Sequence, residues 1–129
     1  QADYERISNC LTAATGIKPL YYRFPGGSTE VTEKLQMTDL DAYFNAQGAS
    51  YFDWNVIAAN NTTDDVSVNK MVDSVMNGVA LYDTSIVLMY DSVDRKMTAK
   101  SLDSILDYLL KNGYEILPID ENTIPIHHS

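Results

Sequence analysis

Ile86-Val87-Leu88-Met89-Tyr90 is the longest apolar run in the chain, and with Ser85 it predicts a strand covered on both faces. Working outward, Thr98 opens a helix that carries Leu102, Ile105, Leu106 and Leu109 at helical spacing and stops before Asn112-Gly113. Upstream, Val68, Met71, Val72 and Val75 mark another helix, ended by Gly78 and preceded by a polar loop from Asn60 to Asp65. Ser50 to Val56 is aromatic-rich and reads as a strand. Before it, Thr38 to Gln47 forms a helix with Leu40, Tyr43 and Phe44 on one face and Gly48 as its stop. Thr38 and Asp41 there resemble a capping box. Leu20 to Phe24 is a short extended run ended by Pro25-Gly26-Gly27-Ser28. The first helix places Tyr4, Ile7, Leu11 and Ala14 on one face behind Asp3, a candidate N-cap, and closes at Gly16. Tyr114 to Ile119 supplies a last short strand before the tail Ile126-His127-His128-Ser129.

Helix followed by strand, four times over, predicts an α/β fold: alternating units that form a parallel sheet with right-handed crossovers. A closed eight-stranded barrel takes ~200 residues or more, so 129 residues make a single domain that is half of such a barrel or a small open sheet. Nine Lys and Arg against 18 Asp and Glu leave a net charge of −9, which argues against nucleic acid and anionic membrane surfaces as partners. No apolar run approaches the ~20 residues of a membrane span. The single cysteine, Cys10, excludes an internal disulfide and a cysteine-based zinc site. Gln1-Ala2-Asp3 is not a signal peptide; it opens in mid-pattern, as if a segment preceded it.

Polar residues collect where the predicted strands end: Arg23 with Pro25-Gly26-Gly27-Ser28, then Asp53-Trp54-Asn55, then Tyr90-Asp91-Ser92. In a parallel sheet these ends share one face, where ligands bind. Each also has a plainer reading. Arg23 pairs with a nearby carboxylate, Trp54 fills core or stacks on a sugar, and Asp91 caps a turn. Pro-Gly-Gly-Ser is a turn that lacks the Lys-Ser/Thr ending of a phosphate loop. Ser28, His127 and an aspartate invite comparison with a hydrolytic triad, but no Gly-x-Ser-x-Gly elbow surrounds the serine. His127 and His128 are adjacent and sit in a terminal tail, a weak pattern for a metal site. Asp64-Asp65 precede a helix, which does not fit a phosphoacceptor domain, and the sequons in Asn60-Asn61-Thr62-Thr63 are too short to carry weight.

Taken together, Tyr22-Arg23-Phe24-Pro25-Gly26-Gly27-Ser28, Tyr51-Phe52-Asp53-Trp54-Asn55-Val56 and Ile86-Val87-Leu88-Met89-Tyr90-Asp91-Ser92 resemble the later motifs of the polysaccharide deacetylases. This is carbohydrate esterase family four, the NodB-homology domain. Thr98 to Leu109, Gly113-Tyr114 and the ending Asn122 to His128 continue the likeness, which corresponds to the carboxyl-terminal half of the family's domain.

The resemblance implies half of a distorted (β/α) barrel and a secreted or cell-envelope setting. It also implies hydrolysis of N-acetyl groups on N-acetylglucosamine polymers such as peptidoglycan or chitin. The family's zinc is held by an Asp and a His-x-x-x-His pair in the other half of the domain. No such segment occurs here, so no metal ligand is expected in this chain, and zinc is expected only with the missing amino-terminal half. By the resemblance, Arg23 steadies the catalytic base, and Pro25 lies in the loop that follows. Trp54 is the aromatic beside Asp53 at the substrate, and Leu88 lines the pocket for the acetyl methyl.

Tyr90 stands where the family has a general-acid histidine, and Asn60 where it has the aspartate that tunes that histidine. A histidine near ~6.5 exchanges a proton at neutral pH, whereas a tyrosine near ~10 keeps it. The chain alone is therefore expected to be inactive. The alternative is a pseudoenzyme, a catalytically dead deacetylase-like module for binding glycan or protein. An exposed sheet edge would be covered by the missing half or by a second copy.

Overall fold

Four helices and four very short strands make up the computed structural model, which describes residues 2–30, 37–59, 66–92 and 96–128. In order these are α1 (Ala2–Thr15), β1 (Tyr21–Tyr22), α2 (Met37–Gln47), β2 (Ser50–Tyr51), β3 (Val56–Ile57), α3 (Val68–Val79), β4 (Val87–Leu88) and α4 (Lys96–Lys111), with a 3-10 turn at Ser28–Glu30. The fold is mixed helix and strand with parallel pairing. Among the described residues there is no one continuous sheet: β1 pairs with β2 and β3 with β4, in two two-stranded sheets. The predicted strand at 50–56 is two strands, because the chain leaves one sheet after Tyr51 and joins the other at Val56. The predicted strand at 114–119 is coil. Tyr114 N instead donates to Leu109 O at 3.0 Å as α4 ends, and Ile116 and Leu117 are exposed.

The chain divides into two compact units, residues 1–53 with 122–129 and residues 54–121. In the first unit the buried residues Tyr4, Leu40, Phe44, Ala49 and Tyr51 form the core, with Tyr22, Phe24 and Tyr43 packed against them. Tyr4 meets the rings of Tyr22, Tyr43 and Phe44 edge-on at 5.0–5.9 Å between centroids, the geometry that ring quadrupoles favour. The buried line of α1 runs through Tyr4 and Ser8, whereas Ile7 and Leu11 of the predicted apolar face are exposed. Asp3 and Thr38 lie inside their helices and not at the caps, where Asp3 still favours the helix dipole.

In the second unit Val56, Ala58, Val75, Val79 and Ile105 form an aliphatic core, joined by Val72, Val87, Met89, Leu109 and Tyr114. Ser67 caps α3 by accepting from Lys70 N at 3.4 Å. Gly78 does not stop that helix, which runs on to Val79. Its lack of a side chain serves packing: a Cβ there would fall 2.6 Å from Val56 Cγ1, so the glycine lets α3 lie directly on β3.

Candidate functional site

Asp53 follows β2 at the point where the first unit's strand pairing ends, and only 1% of it is exposed. Its Oδ1 accepts from Ser28 N at 2.8 Å. Its Oδ2 accepts from the Ser28 hydroxyl and from His128 N at 2.7 Å. Asp53 N in turn donates to Ile126 O at 2.7 Å. One buried carboxylate thus ties the loop after β1 to the carboxyl-terminal segment. Gly26 and Gly27, both at positive φ (78° and 92°), turn the loop so that Ser28 N points inward. Burial alone would raise the Asp53 pKa. The hydrogen bonds from Ser28 and His128, with the His128 imidazole 4.0 Å away, outweigh it and hold the carboxyl below its ordinary range.

The terminal histidines are built into the first unit and do not form a free tail. His127 stacks on Tyr51 with centroids 4.0 Å apart and planes 10° from parallel, and its Nε2 lies 3.1 Å from Tyr51 O. The Tyr51 hydroxyl donates to Asp41 Oδ1 at 3.0 Å. Burial first, and then that hydrogen bond, raise the phenol well above its ordinary pKa. Ser28, Asp53 and His128 do not make a nucleophilic relay. The serine hydroxyl bonds the aspartate directly, whereas a triad places the imidazole between them.

Among the described residues, no three of His, Cys, Asp and Glu converge to hold a metal ion. His127 Nε2 is turned to a backbone carbonyl and His128 Nδ1 to Asp53, so these donors do not fit a tetrahedral zinc site. No metal-assisted step is derived from this chain.

Of the residues singled out in the sequence, Arg23, Pro25 and Asp53 fall in the first unit, and Trp54, Leu88 and Tyr90 in the second. Arg23 is exposed and donates to Phe24 O at 3.3 Å. Pro25 is exposed on the loop that Ser28 and Asp53 anchor. Leu88 is buried and its carbonyl accepts from Ala58 N at 3.0 Å. Trp54 and Tyr90 are half-buried. Asn60, like Asp64 and Asp65, lies outside the described residues.

Two connections escaped the sequence reading, although both start from residues it named, Asn55 and Asp53. Asn55 clamps the segment before β4, donating from Nδ2 to Thr84 O at 3.0 Å and accepting at Oδ1 from Ile86 N at 2.8 Å. The Asp53–His128 connection joins positions 75 apart, and its one sequence trace is the apolar Pro125-Ile126 ahead of the histidines.

The segments at 22–28, 51–56 and 86–92 thus each have a defined local geometry, and comparison with solved structures decides what they belong to. The catalytic domain of a peptidoglycan N-acetylglucosamine deacetylase from Eubacterium rectale superposes with a TM-score of 0.82 and 28% identity, over 97% of this chain and 58% of that one. The chain has a polysaccharide deacetylase fold. A CE4 esterase from Streptococcus mutans (TM-score 0.72, 24% identity, 86% of this chain and 49% of that one) shares this deacetylase fold. So does a polysaccharide deacetylase from Bacillus cereus (TM-score 0.72, 20% identity, 96% of this chain and 59% of that one). The deacetylase-like chain therefore spans about half to three-fifths of the length of the structures it matches. No family model and no curated protein sequence matches it.

Proposed function

We propose that this chain is the carboxyl-terminal part of a glycan N-deacetylase-type domain for N-acetylglucosamine polymers such as peptidoglycan or chitin, and that it releases no acetate alone. The likeness to the peptidoglycan N-acetylglucosamine deacetylase over 97% of the chain carries this reading. Amide hydrolysis by such a domain needs an activated water and a group that protonates the leaving amine. In this proposal Trp54 and Leu88 of the second unit contact substrate, Tyr90 stands at the position of the family's general acid, and Arg23 of the first unit steadies the base that the remainder supplies. The zinc that activates water in the family belongs, in this proposal, to ligands supplied by the remainder of the domain. That remainder, or a second copy, would pair with an edge of the two-stranded sheets that no other strand covers among the described residues. A secreted or cell-envelope setting is part of the same proposal; among the described residues no helix is long and apolar enough to cross a membrane.

The Tyr90 hydroxyl can donate a hydrogen bond to an acetyl oxygen but does not relay protons as an imidazole does. That residue favours a second reading, a module that holds glycan, or a protein partner, without turning glycan over. Zinc content and acetate release from an N-acetylglucosamine oligomer test the first claim. The 129-residue chain should carry no stoichiometric zinc and give no acetate. Measurable turnover with bound zinc overturns the proposal. In a polypeptide that also carries the remainder of the domain, Tyr90→His with Asn60→Asp should raise acetate release by about 10²-fold or more. An unchanged rate there rejects the account of Tyr90 and Asn60 as the cause of inactivity.

A further inference from the structure

Within the first unit, α2 and the carboxyl-terminal segment enclose an open depression of about 230 Å³ whose lining includes Asp41, Asn45, Ser50, Tyr51, Pro125 and His127. We propose that this depression, whose lining includes none of Arg23, Leu88 and Tyr90, is a subsite for one neutral or amine-bearing pyranose unit of a glycan chain. The ligand class rests on the glycan reading above; the location rests on the side chains.

Size comes first. The volume is below the ~300–1,000 Å³ of pockets for larger ligands and suits a single ring. Chemistry comes next. Asp41 and Asn45 are exposed one turn apart on α2, so a carboxylate and an amide share one face of the helix. A carboxylate only accepts, whereas an amide both donates and accepts, so the pair can hold neighbouring ring hydroxyls. Asp41 lines the depression with one oxygen engaged by Tyr51, so its carboxylate can still accept at the other. Ser50 adds a half-buried hydroxyl. The pyrrolidine of Pro125 and the exposed imidazole of His127 supply apolar and flat surface for the C–H face of a sugar.

The wall is held in place before any ligand arrives. His127 is stacked on Tyr51, and the segment behind it is fixed by the bonds from His128 N to Asp53 and from Asp53 N to Ile126 O. Binding therefore does not have to order the tail, which lowers its entropic cost. A carboxylate in the lining, on a chain of net charge −9, selects against phosphorylated and uronic sugars.

The test is a residue-resolved amide NMR titration of the whole chain with the N-acetylglucosamine tetramer. Saturable shifts should appear at Asn45, Ser50 and His127. Asn45→Ala, a change on an exposed helix face, should weaken binding by about tenfold. His127→Phe keeps a stacking ring and should retain affinity, whereas His127→Ala should lose it. Shifts confined to residues 23–28 or 88–90 overturn the subsite and leave the glycan reading standing. No saturable shift anywhere at millimolar tetramer overturns both.

Discussion

The two units bury their cores by different physics. The second packs aliphatic side chains of α3 against β3 on one side and α4 on the other, with no buried charge among its described residues. Such burial is non-directional and depends on volume. The first is built from rings meeting edge-on and from a buried carboxylate whose oxygens accept three hydrogen bonds. Its energy depends on direction as well as on area, and the features of chemical interest in it, Asp53, Tyr51 and His127, are the same ones that hold it together.

The largest effect should come from breaking the aromatic core. Phe44→Ala removes a ring that touches Tyr4, Tyr22, Phe24, Tyr43 and Tyr51 and should cost about 3–5 kcal/mol. The aliphatic counterpart, Ile105→Ala, should cost about 2–5 kcal/mol. In urea unfolding, Trp54 fluorescence reports the second unit and near-UV tyrosine dichroism is weighted to the ring-rich first. Phe44→Ala should shift the tyrosine signal further, and Ile105→Ala the tryptophan signal. Equal shifts of both probes would erase the distinction.

Asp53→Asn should cost about 1.5–3 kcal/mol, because the accepted bonds lose their charge and one amide hydrogen then faces a donor. Amide exchange should rise at Ser28 and His128 together, and protection retained at either would deny that Asp53 joins them. The pH dependence follows with opposite signs at the two extremes. The Asp53 pKa is lowered on folding, so its stabilisation is complete above the unfolded value near ~3.9 and disappears as pH falls through the folded one. The Tyr51 pKa is raised, so its stabilisation is complete below ~10 and disappears as pH rises beyond that. Tyrosine dichroism should therefore fail before tryptophan fluorescence at both acid and alkaline ends.

On the aliphatic side, Gly78→Ala forces a methyl against Val56 and should cost about 1–3 kcal/mol, relieved by adding Val56→Ala. No relief in the double variant would mean that the glycine serves something other than this contact. The smallest effect has the reverse sign. Among the described residues the buried Tyr4 Oη has no hydrogen-bond partner, so Tyr4→Phe should stabilise by up to about 1 kcal/mol in the same unfolding assay. A loss of stability would show that the hydroxyl matters to the ring cluster.

Helices were legible because 3.6-residue periodicity records which face is buried: α3 and α4 lie within two residues of their predicted starts, and Met71, Val75 and Ile105 are core. Strands were not. Apolar runs such as 50–56 and 114–119 record burial or β propensity, while pairing needs a partner in register, and only two residues of each observed strand have one. The motif segments were readable as a family likeness. Their hydrogen bonds were not, since Ser28, Asp53 and His128 are linked across 25 and 75 positions with no local pattern to announce it.

Residues 54–121 are inserted between the two stretches that make up the first unit. On a ribosome, the inserted unit is fully synthesised while its host still lacks residues 122–129. The Asp53 carboxylate must therefore wait, with one acceptor unfilled, until His128 has been added. Folding of the host therefore depends on residues made after the insert, whereas folding of the insert does not.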